Sequence, residues 1–170
     1  MRINRFILRS LLVFSVIAAA VSSCKMDKEP EFEYYKSNEL VLTYTKTNIN
    51  SLLDLGVQAY PEIADVKPYV ASGTNVYKMV YMTTIDNEEI EASGLVCVPS
   101  EPGNYPVLSF QNGTNTKHDN APTENITDVS YTLIEIISSM GFIVVIPDYP
   151  GFGSSAQIHR MHAAQVRLPR

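Results

Sequence analysis

Apolar and polar positions follow several different periods along the 170 residues, and each change of period predicts a change of element. Residues 10–24, SLLVFSVIAAAVSSC, are apolar or small almost throughout, and Arg2, Arg5 and Arg9 precede them. A basic stretch, an apolar stretch and small residues at a cut are the pattern of a signal peptide, and the apolar run is short for a transmembrane helix. From Leu40 to about Ala64 the spacing is weakly helical. Leu52, Leu53, Leu55, Val57 and Ile63 fall on one face, with Gly56 and Pro61 as interruptions, so one or two short helices are expected.

Strand patterns follow. Asn75 to Ile85, NVYKMVYMTTI, is rich in β-branched and aromatic residues, and Ile90 to Pro99, IEASGLVCVP, returns after a DNEE turn. Asp86-Asn87 suits a tight hairpin connection. Pro106 to Phe110, PVLSF, reads as a short strand buried on both faces. A polar loop, QNGTNTKHDNAPTEN, leads to a helix over about Asp128 to Met140. Its apolar face is expected to hold Leu133, Ile136, Ile137 and Met140, with Thr127 or Asp128 as N-cap and Gly141 as a left-handed C-cap. FIVVIPD is the next buried strand. Strand, helix and strand make a βαβ crossover, which requires a parallel pair. Phe142 to Ile146 is expected to lack one strand neighbour and so to expose an open edge and an apolar face.

Composition is that of one globular domain, with 45% hydrophobic and 18% charged residues. No internal repeat is found. The formal charge is -5, and it becomes -8 when residues 1–23, with three arginines and no acid, are removed. No basic patch points to nucleic acid. The sequence VSSC, Val21 to Cys24, resembles a bacterial lipobox. That resemblance implies a lipid on Cys24, an anchor in a bacterial membrane and a place in the cell envelope, periplasmic or surface-exposed. Plain secretory cleavage beside an incidental cysteine is the alternative. Residues 24–39 read as an acidic tether, in which Lys25, Asp27 and Glu29 partly resemble the export signals of Bacteroides-type lipoproteins. Cys97 occupies an apolar strand position and reads as a small buried hydrophobe rather than a reactive thiol. No cysteine or histidine spacing suggests a metal site, and no cofactor is implied.

The pieces YKMVYMTTIDNEEIEASGLVCVPS, PVLSFQNGT and SMGFIVVIPDYPGFGSS, in that order, resemble the N-terminal half of α/β-hydrolase fold enzymes, in particular the secreted lipase and esterase branch. The resemblance covers about half of the chain, from Tyr77 to Ser155. It implies an α/β fold class: the N-terminal portion of an α/β-hydrolase sheet, an antiparallel hairpin followed by a parallel βαβ unit, and incomplete. It also implies a small-molecule ester as the substrate of the parent enzyme. Such chemistry needs a serine on a G-x-S-x-G turn, a histidine, an acid, and backbone N–H groups aimed at the developing oxyanion. The family places one oxyanion donor after the strand that here ends at Phe110. By resemblance Gly113 or Thr114 supplies that N–H; a polar turn pivoting on Asn112-Gly113 is the alternative.

The triad itself has no candidates. No G-x-S-x-G occurs in the chain, and GFGSS, Gly151 to Ser155, has glycine where the nucleophile belongs. Asp148 reads as a structural hydrogen-bonder. His118 reads as an exposed loop residue, and His159 and His162 fall in the tail. Arginine is absent between Arg9 and Arg160, after which HRMHAAQVRLPR holds three. That shift predicts a frame change or truncation near Ile158; a short basic C-terminal extension is the alternative. The expected organisation is a signal peptide over 1–23, a tether over 24–39, a partial hydrolase domain over 40–158 and an atypical tail over 159–170. As written the chain is expected to lack triad catalysis. A peptidase of the same fold and a non-catalytic surface lipoprotein that binds a small ligand stay open.

Overall fold

A computed structural model describes residues 33–157. The expected signal peptide, Cys24, most of the tether and the tail 159–170 lie outside the described residues. The described elements are β1 (Tyr35–Tyr44), α1 (Lys46–Ala59), two 3-10 turns (Pro61–Asp65 and Lys67–Tyr69), β2 (Thr74–Ile85), β3 (Glu88–Pro99), β4 (Val107–Ser109), a 3-10 turn (His118–Asn120), α2 (Val129–Glu135) continued by a 3-10 segment (Ile136–Met140), and β5 (Ile143–Pro147). The strands form one sheet in the order β1-β2-β3-β5-β4. All neighbours are antiparallel except β4 and β5, which are parallel. The fold is mixed α/β, an antiparallel hairpin followed by a parallel βαβ unit.

The hairpin forms as its sequence predicts. Ile85 pairs with Glu88, so the loop is Asp86-Asn87 alone. Both residues have positive φ, 53° and 66°. That is the two-residue turn whose twist matches the strands it joins, and asparagine and aspartate tolerate its left-handed backbone. Gly141 also adopts the expected left-handed cap, with φ 92°.

Four expectations are corrected. Residues 40–44 are strand, not helix, and β1 starts at Tyr35, inside the stretch read as tether. This strand is an edge, interrupted by two register shifts, and its YKSNE half is exposed, so no alternation marks it. The helix starts only at Lys46, where Thr45 and Asn48 form a capping box. Its buried positions are Ile49 and Leu53, whereas Leu52 and Leu55 are exposed. Second, β4 is not buried on both faces: Val107 is 67% exposed and Leu108 37%.

Third, β5 has no open edge. It pairs with β3 on one side and β4 on the other, so among the described strands the edge at this end of the sheet belongs to β4. Fourth, the helix before β5 tightens to 3-10 at Ile136, and the carbonyl of Ser139 accepts from Ala71 and Ser72 at 2.9 and 3.2 Å. The change of pitch widens the buried face. Of the expected positions Ile136 is buried and Ile137 and Met140 pack against the core, but Leu133 is half exposed, and Tyr131, Glu135, Ser138 and Ser139 are buried as well.

The core lies between the sheet and α2, where Val76, Leu95, Cys97, Val144 and Ile146 pack with Tyr131. A second cluster, Ile49, Leu53, Val70 and Ile136, joins α1 to the end of the crossover. Cys97 is fully buried, and burial pushes its thiol well above its ordinary value. Glu135 is also fully buried. One carboxyl oxygen accepts from the Tyr44 hydroxyl at 3.1 Å, and the other has no partner among the described residues. Burial pushes Glu135 up to about 7, against the lowering effect of the Tyr44 hydrogen bond. Burial likewise raises Tyr44 to about 12.

A second buried carboxylate is fully engaged. Asp148, just after β5, accepts from the Ser93 hydroxyl at 2.5 Å, the Thr123 hydroxyl at 2.6 Å and the Thr123 N–H at 3.2 Å. Its own N–H donates to the Ser93 carbonyl at 2.9 Å, and Ser93 Oγ accepts from the Ser154 N–H at 2.8 Å. The turn that closes on this pair requires glycine at 153. Its φ is 58°, and a Cβ there would sit 2.0 Å from Asp148 Oδ2 and 2.2 Å from Ser93 Oγ.

Two outcomes follow from these carboxylates. The folded-state value of Glu135 lies above its ordinary 4.5, so the unfolded chain ionises first. Below pH 4.5 the carboxyl is protonated in both states and adds no ionisation cost, and stability falls as pH rises from there to about 7 and is level above. Roughly 2 to 3 kcal/mol should be lost between pH 5 and pH 8, and Glu135→Gln should flatten that profile; superimposable urea-midpoint profiles for the two proteins would contradict it. Gly153→Ala should cost about 2 kcal/mol or more through overlap with Asp148, visible as a lower melting temperature, and an unchanged one would show that the turn is not held as described.

Candidate active site

The loop after β4 leaves the sheet at Phe110, whose N–H still donates to the Val145 carbonyl at 2.8 Å. Asn112 is next to be fixed. Its carbonyl accepts from the Tyr149 hydroxyl at 2.5 Å, which ties the loop to the turn after β5. Gly113 and Thr114 then emerge as exposed residues. A Cβ on Gly113 would meet nothing within 4 Å. No acceptor among the described residues takes the N–H of Gly113 or of Thr114.

These two residues line an open cleft of about 580 Å³. One wall is Phe110, Asn112, Gly113 and Thr114; the other is Asp128, Ser130 and Tyr131 at the start of α2. The opposite wall is rigid for identifiable reasons. Asp128 caps α2 by accepting from the Ser130 N–H at 2.9 Å, as its position ahead of the helix predicts. The Tyr131 hydroxyl donates to the Asn120 carbonyl at 2.8 Å and accepts from the Asn115 side chain at 3.2 Å. The loop is thereby laid across α2, and Lys78 of β2 pairs with Glu124 at 3.3 Å farther along it.

Gly113 and Thr114 thus fall in the cleft, and among the described residues Asp148 and His118 do not line it. Asp148 has its acceptor capacity taken by Ser93 and Thr123, the role of structural hydrogen-bonder expected for it. His118 is exposed, and its ring stacks on Phe152 with centroids 6.2 Å apart. His159 and His162 lie outside the described residues, as does Cys24. Among the described residues no group of three or more His, Cys, Asp or Glu is placed to hold a metal ion, and no helix is long and apolar enough to cross a membrane.

Sequence reasoning missed Asn112. Its side chain is 5% exposed, and neither amide atom has a partner among the described residues. The signal was present in the four asparagines of the loop, Asn112, Asn115, Asn120 and Asn125, all of which line the cleft. Asparagine there reads equally as turn chemistry, and only burial separates the two.

No family model matches the chain, and no curated protein matches it. Among solved structures it is similar to the crystal structure of a candidate hydrolase from Legionella pneumophila, with a TM-score of 0.59 and 22% identity over 74% of this chain. The match covers 33% of that protein. At this identity the likeness speaks for the fold alone: the chain shares a mixed α/β architecture with that protein and spans about one third of its length.

Proposed function

We propose that this chain contributes the oxyanion-binding arm of a serine hydrolase acting on carboxylic esters, held at a bacterial membrane by a lipid on Cys24. The observation that supports it best is that Gly113 and Thr114 are exposed, with N–H groups that have no acceptor among the described residues, on the wall of a cleft directly after a parallel strand. When a serine attacks an ester carbonyl, negative charge develops on the carbonyl oxygen. A fixed backbone donor about 3 Å from that oxygen stabilises the transition state without reorganising. The loop here is fixed: Tyr149 holds Asn112 and Tyr131 holds Asn115 and Asn120, on either side of the donors.

The nucleophile belongs to residues other than these 170, which contain no G-x-S-x-G. The unpaired edge of β4 is the place for its strand. A parallel strand added there ends beside residues 111–114, so a serine at its tip faces the same cleft. Exposed Val107 and Leu108 on β4 would be covered by that addition.

Two measurements test this reading. The product of the gene's longest frame containing this chain should hydrolyse p-nitrophenyl butyrate and react with a fluorophosphonate, and peptide amides should be poor substrates. Thr114→Pro and Gly113→Pro each delete one N–H, and at least one should lower kcat by about 100-fold with little change in KM. Absence of ester hydrolysis, or full kcat in both variants, would refute the proposal. Separately, labelled palmitate should enter the protein in a bacterial host and Cys24→Ser should abolish the label; label retained by the variant would remove the anchor from the account.

A further inference from the structure

The chemistry of the cleft narrows what it takes. Its lining has no cationic side chain and one carboxylate, Asp128, which already caps α2. Phosphates and carboxylates therefore find no partner of opposite charge. Most of the polar lining is neutral and able both to donate and to accept: the side chains of Asn112, Asn115, Asn120 and Asn125, with Thr114 and Ser130. Such groups match hydroxyls, which also do both. Phe110 and Tyr131 add ring surface, which suits the C–H face of a saturated ring.

Asn112 gives this chemistry its focus. Its carboxamide is sealed from solvent and unpaired at both the nitrogen and the oxygen. An unpaired buried polar group carries its desolvation cost uncompensated, and a ligand group that pairs with it offsets part of that cost. Asn112 is itself among the residues that line the cleft, so a turn of its side chain, with the loop backbone held by Tyr149, brings the amide to a ligand there.

We infer that the cleft binds a neutral polyhydroxylated ring, a saccharide, with the Asn112 carboxamide donating to one ring oxygen and accepting from a neighbouring hydroxyl. Asn125 and Ser130 contact further hydroxyls from the opposite wall. Taken with the ester reading, on which this last step rests, the alcohol part of the ester is a sugar hydroxyl: attack by the serine forms the acyl-enzyme and breaks the acyl–oxygen bond, the sugar oxygen leaves with the proton passed on by the histidine, and water then releases the acid.

The binding step is testable on the 170-residue chain itself. Xylobiose and cellobiose serve as neutral probes, inorganic phosphate as the charged probe and cyclohexanol as the apolar one, each titrated into 15N-labelled protein. At least one disaccharide should shift the backbone amides of Gly113 and Thr114 and the side-chain NH2 of Asn112 in a saturable way. Asn112→Leu should weaken that binding about tenfold while leaving the melting temperature unchanged or raised, because it removes an unpaired buried polar group. Asn125→Ala, at a less buried position, should weaken it severalfold and supplies the test if the Leu variant does not fold. Absence of saturable disaccharide shifts, shifts that survive these substitutions, or equal shifts with phosphate or cyclohexanol would overturn the inference. Disaccharide binding without ester hydrolysis by the longer product would instead overturn the ester reading alone.

Discussion

Two consecutive residues after β5 hold the loop that walls the cleft. Asp148 takes both the hydroxyl and the N–H of Thr123 near the far end of that loop, and Tyr149 takes the carbonyl of Asn112 at its near end. Asp148 is simultaneously bonded to Ser93 of β3, so the loop is referenced to the middle of the sheet rather than to its exposed edge. The position of the Gly113 and Thr114 N–H groups depends on this arrangement. A carboxylate is suited to it because it accepts from several donors at once and, when each is well placed, its burial is compensated.

The helix that packs on this sheet carries a buried carboxylate in the opposite condition. Glu135 has one donor, Tyr44, and an oxygen with no described partner. Asp148 is tied to β3 and to the loop and braces the cleft, whereas Glu135 is left to hold its proton near neutrality in the core. The contrast shows that burial alone does not decide what a carboxylate does; the number of donors aimed at it does.

Local chemistry made much of the fold legible. Asp86-Asn87 named its own turn, Asp128 its own cap and Gly141 its own helix end, because each acts within a few residues. The failures all involve partners distant in the chain. β1 is an exposed edge whose strand character comes from pairing with β2, and the tightening after Glu135 answers donors at Ala71 and Ser72. The order β3-β5-β4 places the later strand inside the earlier one, so the open edge moved from β5 to β4. In the site, Gly113 was readable from its position after a strand, but the unpaired state of Asn112 depends on packing that no local pattern records.

The central claim is that the Gly113–Thr114 backbone holds a developing oxyanion. The most direct measurement is a crystal structure of the longer gene product inactivated by a diethyl phosphonate, whose tetrahedral phosphorus stands in for the attacked carbonyl carbon. The account predicts the phosphonyl oxygen about 3 Å from the nitrogen of Gly113 or Thr114, inside the cleft bounded by Tyr131. A phosphonyl oxygen bound by other donors, with these two N–H groups turned away from it, would contradict the account.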